Sequence, residues 1–334
     1  MELRNRIKTK LSNESLDKAT PFPKKNLLIE VTNYCNNKCV FCYNDCMTRE
    51  RKFIDKNICE KVLEEAYELG MREVGFYVVG EPLLDKRLEE FISFAKKQGY
   101  EYIYLTTNGI LANLDRVKSL YNSGLNSIKF SINATNIEDY IMVHGTNKFN
   151  TVIKNLTDVY RWKIESNINL KVYVSYITLD ITKNKFEINN LFKDRCDEYI
   201  VMPAINQGGL IPEINQISTK EQNDINGNFK LPCSYPFNSV IVTAEGYLTA
   251  CCMDFENLLA YADLNNTSLE EAWNNFIISQ FRRRHISKDV DGTMCANCIY
   301  NTKDIPQPLD VDLCSLKEFD NGIFKKRLLK VGKR

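Results

Sequence analysis

The sequence predicts an α/β protein: a partial (β/α)6 barrel followed by a small, cysteine-rich C-terminal domain. Three observations carry this reading. Between residues 26 and 203 six short apolar runs alternate with helical periodicities, the signature of βαβ units on a parallel sheet with right-handed crossovers. Six units fall short of the eight that close a (β/α)8 barrel, so the sheet is expected to stay open. After residue 232 the alternation gives way to a hairpin pattern and to cysteines in well-separated pairs.

Taken in order, residues 1–25 are a polar N-terminal extension without the apolar centre of a signal peptide, so the chain is expected to be cytoplasmic. Candidate strands follow at Leu27 to Val31, Val74 to Val79, Tyr102 to Thr106, Ser127 to Ile132, Leu170 to Ile177 and Tyr199 to Met202. Helical patterns fall at about 56 to 69, 86 to 98, 113 to 122, 148 to 163 and 184 to 193; the second shows an apolar face of Leu84, Leu88, Phe91, Ile92 and Ala95. Together these make a barrel domain over 26–203. Residues 204–231 lose periodicity in sequence such as INQGGLIPEINQ and read as a linker or a barrel-mouth cap. The second domain spans 232–314. Within it Asn238 to Val242 and Tyr247 to Ala250 alternate around a turn near Gly246, a β-hairpin. Thr267 or Ser268 caps a helix that begins Leu269-Glu270-Glu271. The tail, 315–334, is basic and reads as a solvated amphipathic helix.

Composition narrows the function. Lys plus Arg is 44 against 43 for Asp plus Glu in 334 residues, a formal charge of +1. That balance gives no electrostatic reason to expect nucleic acid or an acidic membrane as partner. No apolar run approaches the ~18 residues that span a bilayer. The unusual number is twelve cysteines against two histidines, His144 and His285. In a reducing compartment clustered cysteines point to metal, and a sulfur-dominated donor set selects zinc or iron–sulfur over imidazole sites.

Cys35, Cys39 and Cys42 form a CxxxCxxC triplet directly after the first strand. Three thiolates are one fewer than a closed tetrahedral zinc site or a fully ligated [4Fe–4S] cube requires, so a fourth position is left open. Cys233, Cys251, Cys295 and Cys298 make a second set that supplies four ligands, enough to close a zinc knuckle or a cluster. The remaining cysteines are Cys46, Cys59, Cys196, Cys252 and Cys314. Of these Cys59 lies in a helical run and reads as core.

The triplet has companions. Val79-Gly80-Glu81-Pro82 stands at the end of the second strand and Thr106-Thr107-Asn108-Gly109 at the end of the third. With the six-unit barrel, this set resembles the radical S-adenosylmethionine (SAM) superfamily. The resemblance implies an open iron chelated by SAM on the cluster of Cys35, Cys39 and Cys42. It implies SAM contacts from the GGEP-like Gly80, Glu81 and Pro82, with Val79 replacing the first glycine, and from Asn108 in the TNG turn. Ser131 and Asn133 stand where a fourth-strand polar residue meets the ribose or carboxylate. Phe41 is expected against adenine and Tyr43 at the same edge. The C-terminal set resembles the SPASM and twitch auxiliary-cluster domains. Its spacing is similar to that of the single-cluster 2-deoxy-scyllo-inosamine dehydrogenases, because the two further cysteines of a full SPASM domain are replaced by Asp304 and Pro308.

What the resemblance implies for chemistry is reductive cleavage of SAM to a 5′-deoxyadenosyl radical, with the protein supplying position and exclusion of water. The substrate class expected is a small hydroxyl-rich molecule: a sugar, nucleotide sugar or aminocyclitol. Loss of an electron to the second [4Fe–4S] cluster would give a ketone; return of hydrogen from a thiol such as Cys252 would give an epimer. His144 is a candidate base, whereas His285 after Arg282-Arg283-Arg284 reads as a solvated helix end and Trp273 as core. A flavodoxin- or ferredoxin-like reductant is the implied protein partner. The alternative is a SPASM-type maturase of a ribosomally made peptide, disfavoured because ~25 residues before the first strand are too few for a leader-binding fold.

Overall fold

The computed structural model describes residues 2–10, 26–178, 185–211, 214, 231–300, 302 and 305–316. Nearly all of the basic tail expected over 315–334 lies outside the described residues. The barrel elements are β1 (Asn26–Ile29), α2 (Lys56–Glu68), β2 (Glu73–Phe76), α3 (Leu88–Gln98), β3 (Tyr102–Thr107), α4 (Leu114–Ser123), β4 (Ser127–Ser131), α5 (Ile137–His144), α6 (Phe149–Glu165), β5 (Lys171–Thr178), α7 (Lys185–Phe192) and β6 (Glu198–Pro203), after an N-terminal α1 (Glu2–Lys10). Every expected strand is present, several of them ending a few residues early. Within residues 2–203 two helices are additions to the sequence reading, α1 and α5. The eight residues of α5 show no regular apolar period; the helix is set by its ends, where the Asn136 side chain accepts from the Asp139 N–H and Gly145 closes it at φ 70°.

β1 to β6 are parallel, and the sheet continues on the other side of β1. Its order is β6-β5-β4-β3-β2-β1-β7-β8-β9, where β7 is Ser239–Val242, β8 Tyr247–Thr249 and β9 Ala260–Asp263. The expected hairpin is β7–β8, antiparallel with Val242 opposite Leu248. The second domain is thus not detached: β7 runs parallel to β1 from Asn26↔Ser239 to Ile29↔Val242. An open barrel leaves the β1 edge with unpaired backbone groups, and the fully buried strand Ser239–Val242 covers it. Arg49, its side chain wholly buried between Glu30 (2.6 Å) and Glu245 (2.5 Å), ties the end of β1 to the hairpin turn.

Side chains alternate across the sheet as the pleat requires. Leu27, Ile29, Val74, Phe76, Ile103, Leu105, Ile128, Phe130, Val172 and Val174 face outward and form one core with Val62, Leu63, Phe91, Ile92, Leu120 and Leu156 of the helices. The inward set is polar: Tyr102, Tyr104, Thr106, Ser127, Lys129 and Tyr173 surround a cavity of about 60 Å³ inside the barrel. Its floor is α1. Arg6 lies 3.4 Å from the Tyr102 ring centroid and 2.6 Å from Glu73, and the Leu3 N–H donates to Glu198, so α1 spans the amino ends of β2, β3 and β6.

Candidate active site

The three-cysteine loop leaves the carboxyl end of β1 and is fastened from three sides. From α5, the carbonyls of Val143 and His144 accept the N–H groups of Val40 (2.9 Å) and Lys38 (3.0 Å). From below, the Asn44 side chain donates to Asn33 O and Val79 O, while the Asn33 amide bonds Glu50 and Lys52. From residues 204–211, Gln207 accepts the Tyr43 N–H and donates to Phe41 O, both at 2.9 Å. The expected linker is therefore, where described, a buried brace: Ala204, Asn206, Gln207, Leu210 and Ile211 are all buried. A cleft of about 380 Å³ opens beside Cys35, walled by Tyr34, Asn36, Asn44 and Thr146. Burial pushes the Cys35 thiol up to about 12, a cost that binding a cation at the sulfur would relieve.

Gly80 is required by space. A Cβ there would stand 2.0 Å from the carbonyl oxygen of Thr32. The Val79 side chain is buried in a small apolar cluster with Phe41, Tyr43 and Met47. The Glu81 carboxylate is a latch: it accepts from the Thr107 hydroxyl (2.7 Å), the Asn108 N–H (2.7 Å) and the Leu83 N–H (3.1 Å). Burial holds its acid up to about 7 against those three bonds. Pro82 starts the short turn that follows. Asn108 in turn donates to Asn36 Oδ1 at 2.6 Å, and the Glu81 N–H donates to Tyr34 O at 2.7 Å. The loops after β1, β2 and β3 are one hydrogen-bonded unit.

Two expected contacts are corrected by the geometry. His144 is 1% exposed and cannot serve as an accessible base. Its Nδ1 lies 3.2 Å from Cys39 Sγ, its ring stacks on Tyr140 at 4.2 Å, and burial lowers its pKa to about 4. Asn133 is not a free SAM ligand: its Oδ1 accepts the Ile177 N–H and its Nδ2 lies 3.4 Å from His144 Nε2. Ser131 remains on the lumen side, 3.3 Å from Ser175 Oγ.

The C-terminal cysteines converge from three places. Cys233 precedes the helix Tyr235–Asn238, Cys251 follows β8, and Cys295 and Cys298 share one face of the helix Met294–Tyr300. Burial raises Cys233 to about 11 and Cys298 to about 12, and the Cys233 sulfur disfavours charge on Cys251, Cys295 and Cys298 alike. The solvated reading of the Arg-rich helix end holds for Arg283 and Arg284, which reach the surface, but not for Arg282 and His285, which are buried. Arg282 is buried over Trp273 at 4.0 Å, and His285 accepts the Cys233 N–H at Nδ1. Cys314 donates to carbonyls of Glu256 and Leu316; Asp304 lies outside the described residues.

Cys252 sits between this set and the barrel interior, packed on Leu28 and Ile241 with Tyr77 and Tyr235 alongside. The Cys251 thiol holds it below the ordinary thiol range, with Tyr235 and the Lys129 ammonium acting the same way. Lys129, which sequence reasoning missed, is lowered by burial to about 8 and faces Tyr77 at 5.5 Å. An isolated lysine in a strand pattern gives no sign of pointing inward until the register is known.

Among the described residues no three His, Cys, Asp or Glu side chains close tightly enough to grip a single metal ion. The donor sets, three thiols on one loop with Cys35 lining an open cleft and four half-buried thiols that converge in the second domain, fit one SAM-chelating and one closed cluster. Fold and site together define an iron–sulfur enzyme of radical SAM chemistry.

Comparison with known proteins agrees. The Radical SAM superfamily matches residues 29–186, and the SPASM iron–sulfur cluster-binding domain matches residues 233–299. The chain belongs to the radical SAM superfamily and carries a SPASM-type domain, with SAM and [4Fe–4S] clusters, one of them auxiliary, as its cofactors. It is 31% identical to an uncharacterised protein of Methanocaldococcus jannaschii over 61% of this chain and 70% of the relative. It is 30% identical to a probable GTP 3′,8-cyclase of Saccharolobus solfataricus over 40% of this chain, spanning 43% of the cyclase. Among solved structures, BtrN in complex with AdoMet and 2-DOIA superposes with a TM-score of 0.56 at 16% identity, over 87% of this chain and 99% of BtrN. Streptococcus suis SuiB bound to precursor peptide SuiA gives 0.62 at 14% identity, over 94% and 80%. At these identities the structures speak for the fold alone. No helix among the described residues is long and apolar enough to cross a membrane.

Proposed function

We propose that the protein removes hydrogen from a hydroxyl-bearing carbon of a small sugar, nucleotide sugar or aminocyclitol, giving a carbonyl product or an epimer. When bound, SAM and its cluster supply a 5′-deoxyadenosyl radical as hydrogen acceptor. In this reading Cys35, Cys39 and Cys42 hold the SAM cluster; Phe41, Tyr43, Gly80, Glu81, Pro82, Asn108 and Ser131 shape the SAM side; Cys233, Cys251, Cys295 and Cys298 hold the auxiliary cluster. The observation that supports the substrate class is the presence of Tyr77, Thr106 and Lys129 among the residues lining the cavity inside the barrel, with Cys252 packed in the cluster that Tyr77 and Tyr104 also join. Lys129, lowered by burial to about 8, is the group assigned to hold the reacting oxygen, and in its neutral form accepts that oxygen's proton. Cys252 is placed either to return a hydrogen atom or to wall the path to Cys251.

The test is product analysis in heavy water with reduced, reconstituted enzyme and a panel of nucleotide sugars and aminocyclitols. Oxidation gives a product two mass units lighter, and epimerisation places one solvent deuterium at the inverted carbon. Cys252→Ala should abolish product but not 5′-deoxyadenosine if the enzyme is an epimerase, and should leave ketone formation in place if it is a dehydrogenase. Turnover of a peptide and of no small polyol would overturn the reading in favour of the maturase alternative. A flavodoxin- or ferredoxin-like protein is the proposed electron source.

A further inference from the structure

The orientation of the His144 ring is settled by its neighbours. Ile177 N–H donates to Asn133 Oδ1 at 2.7 Å, which turns the Asn133 amide nitrogen toward His144 Nε2. The backbone N–H of Asn133 reaches the same nitrogen at 3.3 Å. An N–H can only donate, so Nε2 is the acceptor and the ring hydrogen resides on Nδ1. That hydrogen faces Cys39 Sγ at 3.2 Å. Asn37 Nδ2 stands 3.3 Å from the same nitrogen and Asn37 Oδ1 accepts from Thr146 Oγ1 at 3.1 Å; two donors cannot face each other, so a hydrogen on Nδ1 requires the Asn37 amide to be turned over, its oxygen then accepting beside Cys39 and its nitrogen donating to Thr146 Oγ1. The ring is clamped by Tyr140, stacked at 4.2 Å, and by the edge of Phe41. Its own backbone carbonyl holds Lys38 of the loop.

We propose that His144 donates an N–H···S hydrogen bond to Cys39 and thereby sets the reduction potential of the SAM cluster. The inference rests on the assignment of Cys35, Cys39 and Cys42 to that cluster. A ligating thiolate accepts only, and the donor stabilises the more negative, reduced state more than the oxidised one, so the bond raises the potential. His144 acts through Cys39 and is a positioning residue.

The test is an EPR-monitored redox titration of the reconstituted holoenzyme, following the signal that changes when SAM is added. His144→Phe should lower the reduced-to-oxidised ratio at a fixed poise about tenfold, equivalent to 59 mV for one electron. His144→Asn, whose amide nitrogen stands near the Nδ1 position, should restore most of it. A potential unchanged in His144→Phe, or equally low in both variants, overturns the proposal. If His144→Phe does not assemble, wild-type protein labelled with ¹⁵N-histidine decides: the SAM-responsive signal must show a ¹⁵N coupling that a His285→Phe background preserves, and its absence overturns the proposal. A SAM-responsive signal that survives loss of all three cysteines would instead refute the ligand assignment.

Discussion

Glu81 offers the sharpest test of how the SAM side is built, because its carboxylate is engaged by the protein itself. Removing the side chain in Glu81→Ala leaves the Asn108 and Leu83 N–H groups and the Thr107 hydroxyl proton without their acceptor, Thr107 Oγ1 keeping only the Gly109 N–H. Glu81→Gln keeps one oxygen for Asn108 and turns its amide nitrogen toward Thr107 Oγ1, losing only the Leu83 bond. Both variants remove the buried charge, so their difference isolates roughly one orphaned backbone donor, about 1–3 kcal/mol, or a Tm gap of about 1–4 °C at this size. If Glu81 acts as a latch, Glu81→Gln binds SAM within about threefold of wild type, while Glu81→Ala loses roughly tenfold or more, since ~1.4 kcal/mol is a factor of ten. Calorimetric SAM titration under anaerobic conditions reads both. Equal loss in the two variants would refute the latch and assign the charge itself to SAM. The pH dependence has a fixed sign. Burial raises the acid from 4.5 to about 7, so this group's contribution to wild-type stability is full below pH 4.5 and is lost as pH rises through 7. The difference is roughly 3 kcal/mol, and Glu81→Gln should gain on wild type between pH 5 and 8.

Three further outcomes are expected. Gly80→Ala forces a Cβ to 2.0 Å from the Thr32 carbonyl oxygen, so the variant should assemble poorly and lose SAM binding, measured by iron content and SAM titration. Gln207→Leu removes both bonds to Phe41 and Tyr43, about 2 kcal/mol or more with two buried backbone groups orphaned; the SAM cluster should then bleach faster in air while the auxiliary cluster does not. Replacing Cys35, Cys39 and Cys42 together should leave close to half of about eight irons per chain, and zinc in the remainder would exclude an electron-transfer role for the C-terminal set.

Much of this was legible in the sequence because the signals are local. The CxxxCxxC spacing, the apolar runs of Leu27 and its successors, and the Ser268–Glu271 capping box that opens the helix Leu269–Trp273 are each written within a dozen residues. What escaped depends on register and distance. Lys129 becomes a lumen residue only when β4 pairs with β3 and β5, and Gln207 reaches the cysteine loop across 164 residues of chain. The short helix α5 was hidden because its role is to end: its last two carbonyls and its final side chain meet the loop, so its composition answers to the loop more than to a core face.

These missed residues share a pattern that bears on how two cysteine sites work in one chain. Both histidines are buried and each attends one set, His144 at Cys39 Sγ and His285 at the Cys233 N–H. The segment from Asn206 to Gly208 attends both: Gln207 pins Phe41 and Tyr43, Asn206 donates to Asn297 O at 3.0 Å, and the Gly208 backbone bonds Cys298. A three-residue span cannot stretch by more than its covalent geometry allows. The separation between the two sites is therefore fixed by this brace together with the β1–β7 pairing, and because Gln207 holds the cysteine loop while Asn206 holds the helix Met294–Tyr300, loosening either residue should weaken the site that it holds.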